Sequence, residues 1–236
     1  MVPERELLVM TLASILITSV VAFWLNLSLT PLLLMGVGYC AVAVSVAQGI
    51  GGQADLGCAN RVTFYRALAV VFLAAALAEP RWVAGLPWLW TGLALTVLAL
   101  DGLDGYLARR LGESSEFGAR FDMEVDAALI LTLCVAVWLL GVTGPWILLL
   151  GLMRYAFVVA GWIQPWIKRP LPPSFRRKTI CVWQIASLLI ALLPITPSPL
   201  AVPILALALI LLAYSFTLDL AWLYRAGEQH ENHLPE

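Results

Sequence analysis

The chain has 236 residues, of which 61% are hydrophobic and only 12% are charged, and its mean hydropathy is +0.90. In ordinary soluble domains about a quarter of the residues are charged. The formal net charge of −1 offers no excess of positive charge for binding nucleic acid. The composition therefore predicts a membrane protein and argues against a soluble or nucleic-acid-binding one.

Eight apolar runs are long enough to span a bilayer, which requires about 20 residues per helix. They lie at residues 8–26, 31–50, 62–79, 86–108, 120–141, 144–164, 179–196 and 200–224. The sequence thus predicts an all-α, polytopic integral membrane protein. Residues 225–236 form a polar tail that is too short to fold alone.

The basic residues favour one side of this eight-helix arrangement. Of the 14 Lys and Arg residues, Arg81 lies on the opposite side and Arg154 within a span; the others are Arg5, Arg61, Arg66, Arg109, Arg110, Arg120, Lys168, Arg169, Arg176, Arg177, Lys178 and Arg225. Cytoplasmic loops of membrane proteins are enriched in Lys and Arg. We therefore expect a protein of the inner (cell) membrane with both termini in the cytoplasm.

Four carboxylates lie within the predicted helices, near their cytoplasmic ends. Asp101 and Asp104 are three residues apart, and Asp122 and Asp126 are four apart, so each pair projects from one face of its helix. A carboxylate near the bilayer centre costs roughly 2.5 to 3.5 kcal/mol, so four of them require compensating cations. Two ions such as Mg²⁺, about 3.5 to 4 Å apart, can clamp a phosphate during its transfer. The cluster predicts phosphoryl transfer, with an intramembrane ion pathway or a structural ion-pair network as the alternatives.

The spacing of residues 101–126 is more specific than the acids alone. It follows the pattern D-x2-D-G-x2-A-R-x8-G-x3-D-x3-D, whose fixed positions are Asp101, Asp104, Gly105, Ala108, Arg109, Gly118, Asp122 and Asp126. This pattern resembles the signature of the CDP-alcohol phosphatidyltransferases, and Asn60, Thr63 and Arg66 resemble the N-x2-T-x2-R element of the same family. The resemblance implies a six-helix catalytic core at residues 55–224, preceded by two additional membrane helices in residues 1–54.

The resemblance implies a reaction and a set of roles. A phosphatidyl group would pass from CDP-diacylglycerol to a small hydroxyl acceptor, releasing CMP, in phospholipid biosynthesis. The four aspartates would bind Mg²⁺ or Mn²⁺, two ions in all, and Asp126 would also be the general base. The nucleotide-binding residues would be Asn60, Thr63, Arg66, Gly105, Ala108, Arg109 and Gly118. Helix packing at Gly105 and a membrane anchor at Arg109 are the alternatives.

Within the same class, a CDP-alcohol donor with a lipid acceptor is the alternative reaction, and a divalent-cation transporter is the alternative of a different class. The resemblance further suggests a homodimer, by analogy with the family.

Two basic residues outside the signature are candidates for binding the acceptor. Arg154 is a lone cation in an apolar run, so it either pairs with an aspartate or binds an anion. Lys178 resembles part of a phosphate cradle in the phosphatidylglycerophosphate synthase branch, with a simple cytoplasmic anchor as the alternative. That branch usually carries lysine after the last signature aspartate, whereas Ala127 follows Asp126 here. We expect a phosphorylated acceptor similar to glycerol 3-phosphate, although no branch matches cleanly.

Overall fold

The computed structural model describes residues 3–50, 56–111, 115–169, 171–172 and 174–231, and within these residues all regular secondary structure is helical. The helices are α1 (Pro3–Trp24), α2 (Leu29–Gly49), α3 (Cys58–Ala76), α4 (Pro80–Gly85), α5 (Pro87–Leu111), α6 (Glu116–Leu139), α7 (Leu148–Ile163), α8 (Phe175–Leu192) and α9 (Ser198–Glu231), with 3₁₀ turns at Pro145–Ile147 and Pro165–Lys168. The predicted all-α fold class is confirmed.

Each of the eight predicted apolar runs corresponds to a long helix, and the short α4 is an addition. Among the described residues, five segments are long and apolar enough to cross a membrane: Glu4–Trp24, Leu29–Gly49, Cys58–Ala76, Pro145–Ile163 and Ser198–Arg225. These segments make the protein a polytopic integral membrane protein. The remaining long helices, α5, α6 and α8, contain the charged residues of the predicted site, so a count of eight spans stays a prediction.

The chain forms two compact units, Met1–Thr132 and Leu133–Glu236. The division falls inside α6 and therefore inside the predicted core at residues 55–224, whose boundaries stay a prediction. In the first unit, the hairpin of α1 and α2 packs on α3, and α3 packs on α5. The apolar core between the hairpin and α3 includes Leu7, Met10, Met35, Tyr39, Val46, Leu56, Phe64, Leu68 and Phe72. Phe117 and Phe121 of α6 pack against this core.

The loop between α1 and α2 is tied to the loop between α3 and α4. Asn26 adopts a left-handed conformation with φ of 51°, which asparagine tolerates better than most residues. The backbone N–H of Ser28 then donates a hydrogen bond of 2.8 Å to Glu79 Oε1. Hydrogen bonds from Ser28 hold the pKa of the Glu79 carboxyl below its usual range. The hairpin is thus fixed at the end of α3 farthest from Asn60.

In the second unit, α8 packs on α9, and ion pairs hold the N-terminus of α8 against α9. Arg176 donates to the carbonyl oxygen of Ser215 at 2.7 Å and to Asp219 Oδ1 at 2.5 Å, and Arg177 lies 3.4 Å from the same Asp219 oxygen. Asp219 is buried. Because two arginines contact one buried acid, the start of α8 is fixed against α9.

Candidate active site

Three helices of the first unit bring charged side chains together around Arg66. Its Nη2 lies 2.9 Å from Asp101 Oδ1 and 2.7 Å from Asp126 Oδ1, and its Nη1 lies 2.6 Å from Asp122 Oδ1. The Arg66 side chain is 0% exposed, whereas the side chains of Asp101, Asp122 and Asp126 are 34%, 37% and 28% exposed. The guanidinium therefore lies beneath a partly accessible group of carboxylates.

The local sequence explains this arrangement. Arg66 lies on α3 beside Ala67 and Leu68, and all three are buried, so its charge is removed from solvent. A buried guanidinium requires hydrogen-bonded acids, and its planar set of five donors can serve several at once. Asp122 and Asp126 are one turn apart on α6 and therefore face the same side. Arg66 is the residue through which α3 meets the acids of α5 and α6.

The aspartate cluster has the chemistry of a divalent-metal site. One carboxylate oxygen from each of Asp101, Asp122 and Asp126 lies within 4.8 Å of the other two. Carboxylate oxygens suit Mg²⁺ and Mn²⁺. These three acids share the single positive charge of the Arg66 guanidinium. The cluster can therefore bind a divalent metal; Asp104 follows on α5, but its side chain lies outside the described part, so the number of ions stays a prediction.

Two of the predicted nucleotide-binding residues are in close contact. A Cβ added at Gly118 would lie 2.6 Å from Asn60 Oδ1 and 3.0 Å from Ser115 Oγ, so a side chain at position 118 would displace Asn60. The Asn60 amide is oriented by its own donation to the carbonyl oxygen of Leu56 at 2.8 Å, and the Gly118 N–H donates to Ser115 Oγ at 2.9 Å. The first turns of α3 and α6 thus meet at a point where a side chain larger than glycine would require Asn60 to move.

The other residues predicted to bind nucleotide or acceptor lie on α3, on α5 and in the second unit. Thr63 is buried on α3, and its hydroxyl donates to the carbonyl oxygen of Ala59 at 3.1 Å. Arg154 is half-buried on α7 and Lys178 is exposed in the first turn of α8, both in the second unit. The side chains of Gly105, Ala108 and Arg109 lie outside the described part of α5. The proposed roles of these residues stay predictions.

The ion-pair contacts of Arg66 and Asp219 were missed by the sequence analysis. Arg66 was predicted to bind nucleotide, and the structure shows it in contact with the carboxylates. The compensating charge was assigned to metal, and Arg66 was not named as the cation in the alternative of a structural ion-pair network. Asp219 was not singled out, although it is the only acid in the apolar run 200–224. An isolated acid in such a run predicts a basic partner, and Arg176 and Arg177 supply it.

The fold and the site together define a helical membrane protein with an acidic centre that has the ligand chemistry of a divalent-metal site. A protein-family model, CDP-alcohol phosphatidyltransferase, matches residues 56–218. The chain therefore belongs to the CDP-alcohol phosphatidyltransferase family. Searches of curated proteins and of solved structures gave no match. The family match begins before α3 and ends within α9, so α1 and α2 lie outside it.

Replacing Arg66 tests its role as the counter-charge of the acids. Removing one partner of a buried ionic group costs up to about 3 to 5 kcal/mol, because the remaining charges are left uncompensated. We expect Arg66→Met to lower the melting temperature of the protein in detergent by several degrees. We also expect Mn²⁺ to raise the melting temperature of Arg66→Met more than that of the parent protein, since the cation then supplies the missing positive charge.

Arg120→Met is the matched control. Arg120 is 77% exposed and lies 3.6 Å from Glu116, and such surface pairs contribute about 0 to 1 kcal/mol. Equal melting temperatures for the two variants, or equal stabilisation of Arg66→Met and the parent by Mn²⁺, would contradict the assigned role of Arg66.

Proposed function

We propose that the protein transfers a phosphatidyl group from CDP-diacylglycerol to a small phosphorylated alcohol and releases CMP. Family membership makes the protein a CDP-alcohol phosphotransferase of a membrane; the donor's lipid and the acceptor are our proposal. The observation that carries the proposal is the convergence of Asp101, Asp122 and Asp126, whose oxygens lie within 4.8 Å of one another at a partly exposed position.

The reaction has two chemical requirements that this cluster can meet. The negative charge of the diphosphate must be neutralised, and divalent metal held by Asp101, Asp104, Asp122 and Asp126 would supply that neutralisation when bound. The attacking hydroxyl must also lose its proton. We assign this proton to a carboxylate oxygen of Asp126, as the acceptor oxygen bonds to the lipid-bearing phosphorus and the bond from that phosphorus to the CMP oxygen breaks.

We propose that the cytidine diphosphate lies along the first turns of α3 and α6. The close approach of Asn60 to Gly118 supports this, because it brings the Asn60 amide next to the Gly118 backbone. Thr63 is buried one turn further along α3. Gly105, Ala108 and Arg109 are added to this pocket by family resemblance, and Arg66 by its contacts with the metal-binding acids.

For the acceptor we propose that Arg154 and Lys178 bind a phosphate group. Arginine binds phosphate through a planar, bidentate fork, and lysine adds a point charge. The exposed Lys178 follows Arg176 and Arg177, whose contacts with Asp219 fix the start of α8.

The excess of Lys and Arg on one side of the predicted membrane arrangement supports a cytoplasmic active site.

Replacing Asp126 tests the proposed chemistry. Asp126→Asn preserves the size of the side chain but removes its negative charge and its ability to take a proton. We expect CMP release from CDP-diacylglycerol to fall by about 10²- to 10⁴-fold, the usual contribution of a general base. Glu124→Gln is the control, since Glu124 is an exposed acid on the same helix, and it should keep the parent rate. An Asp126→Asn enzyme that releases CMP at the parent rate would exclude Asp126 as the base.

The same purified protein separates an enzyme from a transporter. Liposomes containing the parent protein should take up no divalent metal, while CMP should be released with a panel of acceptors that includes glycerol 3-phosphate, inositol phosphate, inositol, serine and choline. Metal uptake that is abolished by Asp101→Asn, without CMP release from any donor, would overturn the proposed function.

Replacing Arg154 tests the phosphorylated acceptor. Lysine keeps the charge of Arg154 but loses the bidentate fork. We therefore expect Arg154→Lys to raise the KM of the acceptor and to leave the KM of CDP-diacylglycerol nearly unchanged. Arg81→Lys, at an exposed position of α4, should change neither constant. The phosphate-binding role fails if the preferred acceptor is uncharged, or if Arg154→Lys changes the donor and acceptor constants alike.

A further inference from the structure

The hairpin of α1 and α2 contacts the first turn of α3 through an ion pair. Arg61 Nε lies 2.5 Å from Glu6 Oε1, and Arg61 Nη2 lies 3.2 Å from Glu6 Oε2. This two-point contact fixes the direction of the guanidinium. Arg61 follows Asn60 directly along α3. The hairpin therefore holds the turn of α3 from which Asn60 reaches Gly118.

A second contact joins the end of α2 to the first turn of α6. A Cβ added at Gly49 would lie 1.8 Å from Cε2 of Phe117, so the phenyl ring lies directly on the glycine backbone. Phe117 in turn stacks on Phe121, with ring centroids 5.9 Å apart and an interplanar angle of 5°. Phe117 precedes Gly118 and Phe121 precedes Asp122, so displacing this pair of rings would shift both site residues.

The two contacts involve the chain neighbours of the Asn60–Gly118 contact, since Arg61 follows Asn60 and Phe117 precedes Gly118. One holds α3 and the other holds α6, and both come from helices outside the residues that match the family. We propose that the α1–α2 hairpin is a positioning element of the active site, with Glu6, Arg61, Gly49 and Phe117 as its positioning residues. This inference rests on the proposed function for its catalytic consequence, while its effect on metal binding can be measured independently.

The hairpin offers matched control positions for Gly49. Gly38 of α2 also lies tightly on the core, since a Cβ there would be 2.5 Å from Cγ1 of Val71. Val71 is eleven residues from Asn60 along α3, which corresponds to about 16 Å at 1.5 Å per residue. At Gly36 no atom lies within 4 Å of an added Cβ. Gly38→Ala therefore perturbs the hairpin away from the Asn60–Gly118 contact, and Gly36→Ala adds a methyl group in open space.

The experiment compares Gly49→Ala, Gly38→Ala and Gly36→Ala in the full-length protein. The measurements are the melting temperature, kcat and KM for CMP release from CDP-diacylglycerol, and Mn²⁺ affinity determined by electron paramagnetic resonance. Loss of a group that orients metal ligands typically costs about 10- to 100-fold in metal affinity or activity. We expect Gly49→Ala to lose this much in Mn²⁺ affinity and in kcat/KM. Gly38→Ala should also lower the melting temperature, yet retain both site properties.

The ion pair provides a second test on variants that keep the core intact. The Arg61 and Glu6 side chains are 36% and 19% exposed, and neither belongs to the apolar core. Glu6→Arg should reduce Mn²⁺ affinity and kcat/KM, and the double replacement Glu6→Arg with Arg61→Glu should recover most of the loss. If Gly49→Ala does not fold, this exchange of charges tests the inference in its place. A double variant that fails to recover Mn²⁺ affinity and kcat/KM would overturn the inference.

The result that overturns the positioning role differs from the one that overturns the proposed function. A parent protein that releases no CMP with any donor and acceptor refutes the proposed function, and the hairpin is then judged on Mn²⁺ affinity alone. If Gly49→Ala and Gly38→Ala bind Mn²⁺ equally well, the hairpin only stabilises the fold and the inference fails.

Discussion

The contacts of the Arg66 guanidinium with Asp101, Asp122 and Asp126 hold together helices whose acids would otherwise repel one another. Two unit charges 4 Å apart interact by about 4 kcal/mol at an effective dielectric constant of 20. Three carboxylates within 4.8 Å therefore require positive charge between them. Arg66 supplies part of it from below, where its side chain is inaccessible to water. The remaining negative charge faces the accessible side, which is where a divalent cation and an anionic diphosphate would have to arrive.

The sequence pattern alone predicted the helices and the shared helix face of Asp122 and Asp126, because both depend on local spacing. Residues one helical turn apart share a face, so Asp122 and Asp126 could be assigned to one site before any packing was known. Two helices extend beyond their predicted apolar runs: α6 begins at Glu116 rather than residue 120, and α9 continues to Glu231 beyond residue 224. Hydropathy marks only the apolar part of a helix, whereas polar residues extend it on either side.

Packing between helices could not be predicted from the spacing of residues along one helix. The partner of Arg66 depends on which helices are neighbours, and no spacing within one helix encodes that. The same limit applies to the contact of Gly49 with Phe117, which joins residues far apart in the chain. A glycine at the end of an apolar helix has many explanations, and only the position of the phenyl ring distinguishes among them. The side chains that share a face of one helix could therefore be predicted from the sequence, whereas the contacts that align different helices could not.

The order of the chain gives the buried position of Arg66 a consequence for membrane insertion. The acids Asp122 and Asp126 are 56 and 60 residues further along the chain, so α3 is synthesised well before they are. Among the candidate spans of the described residues, Cys58–Ala76 also has the lowest mean hydropathy, 1.3. A helix that carries an arginine and has limited apolarity gains little from lipid alone. We therefore expect the α1–α2 hairpin, which is synthesised first, to offer α3 a protein surface, and α6 to complete the set of charges around Arg66.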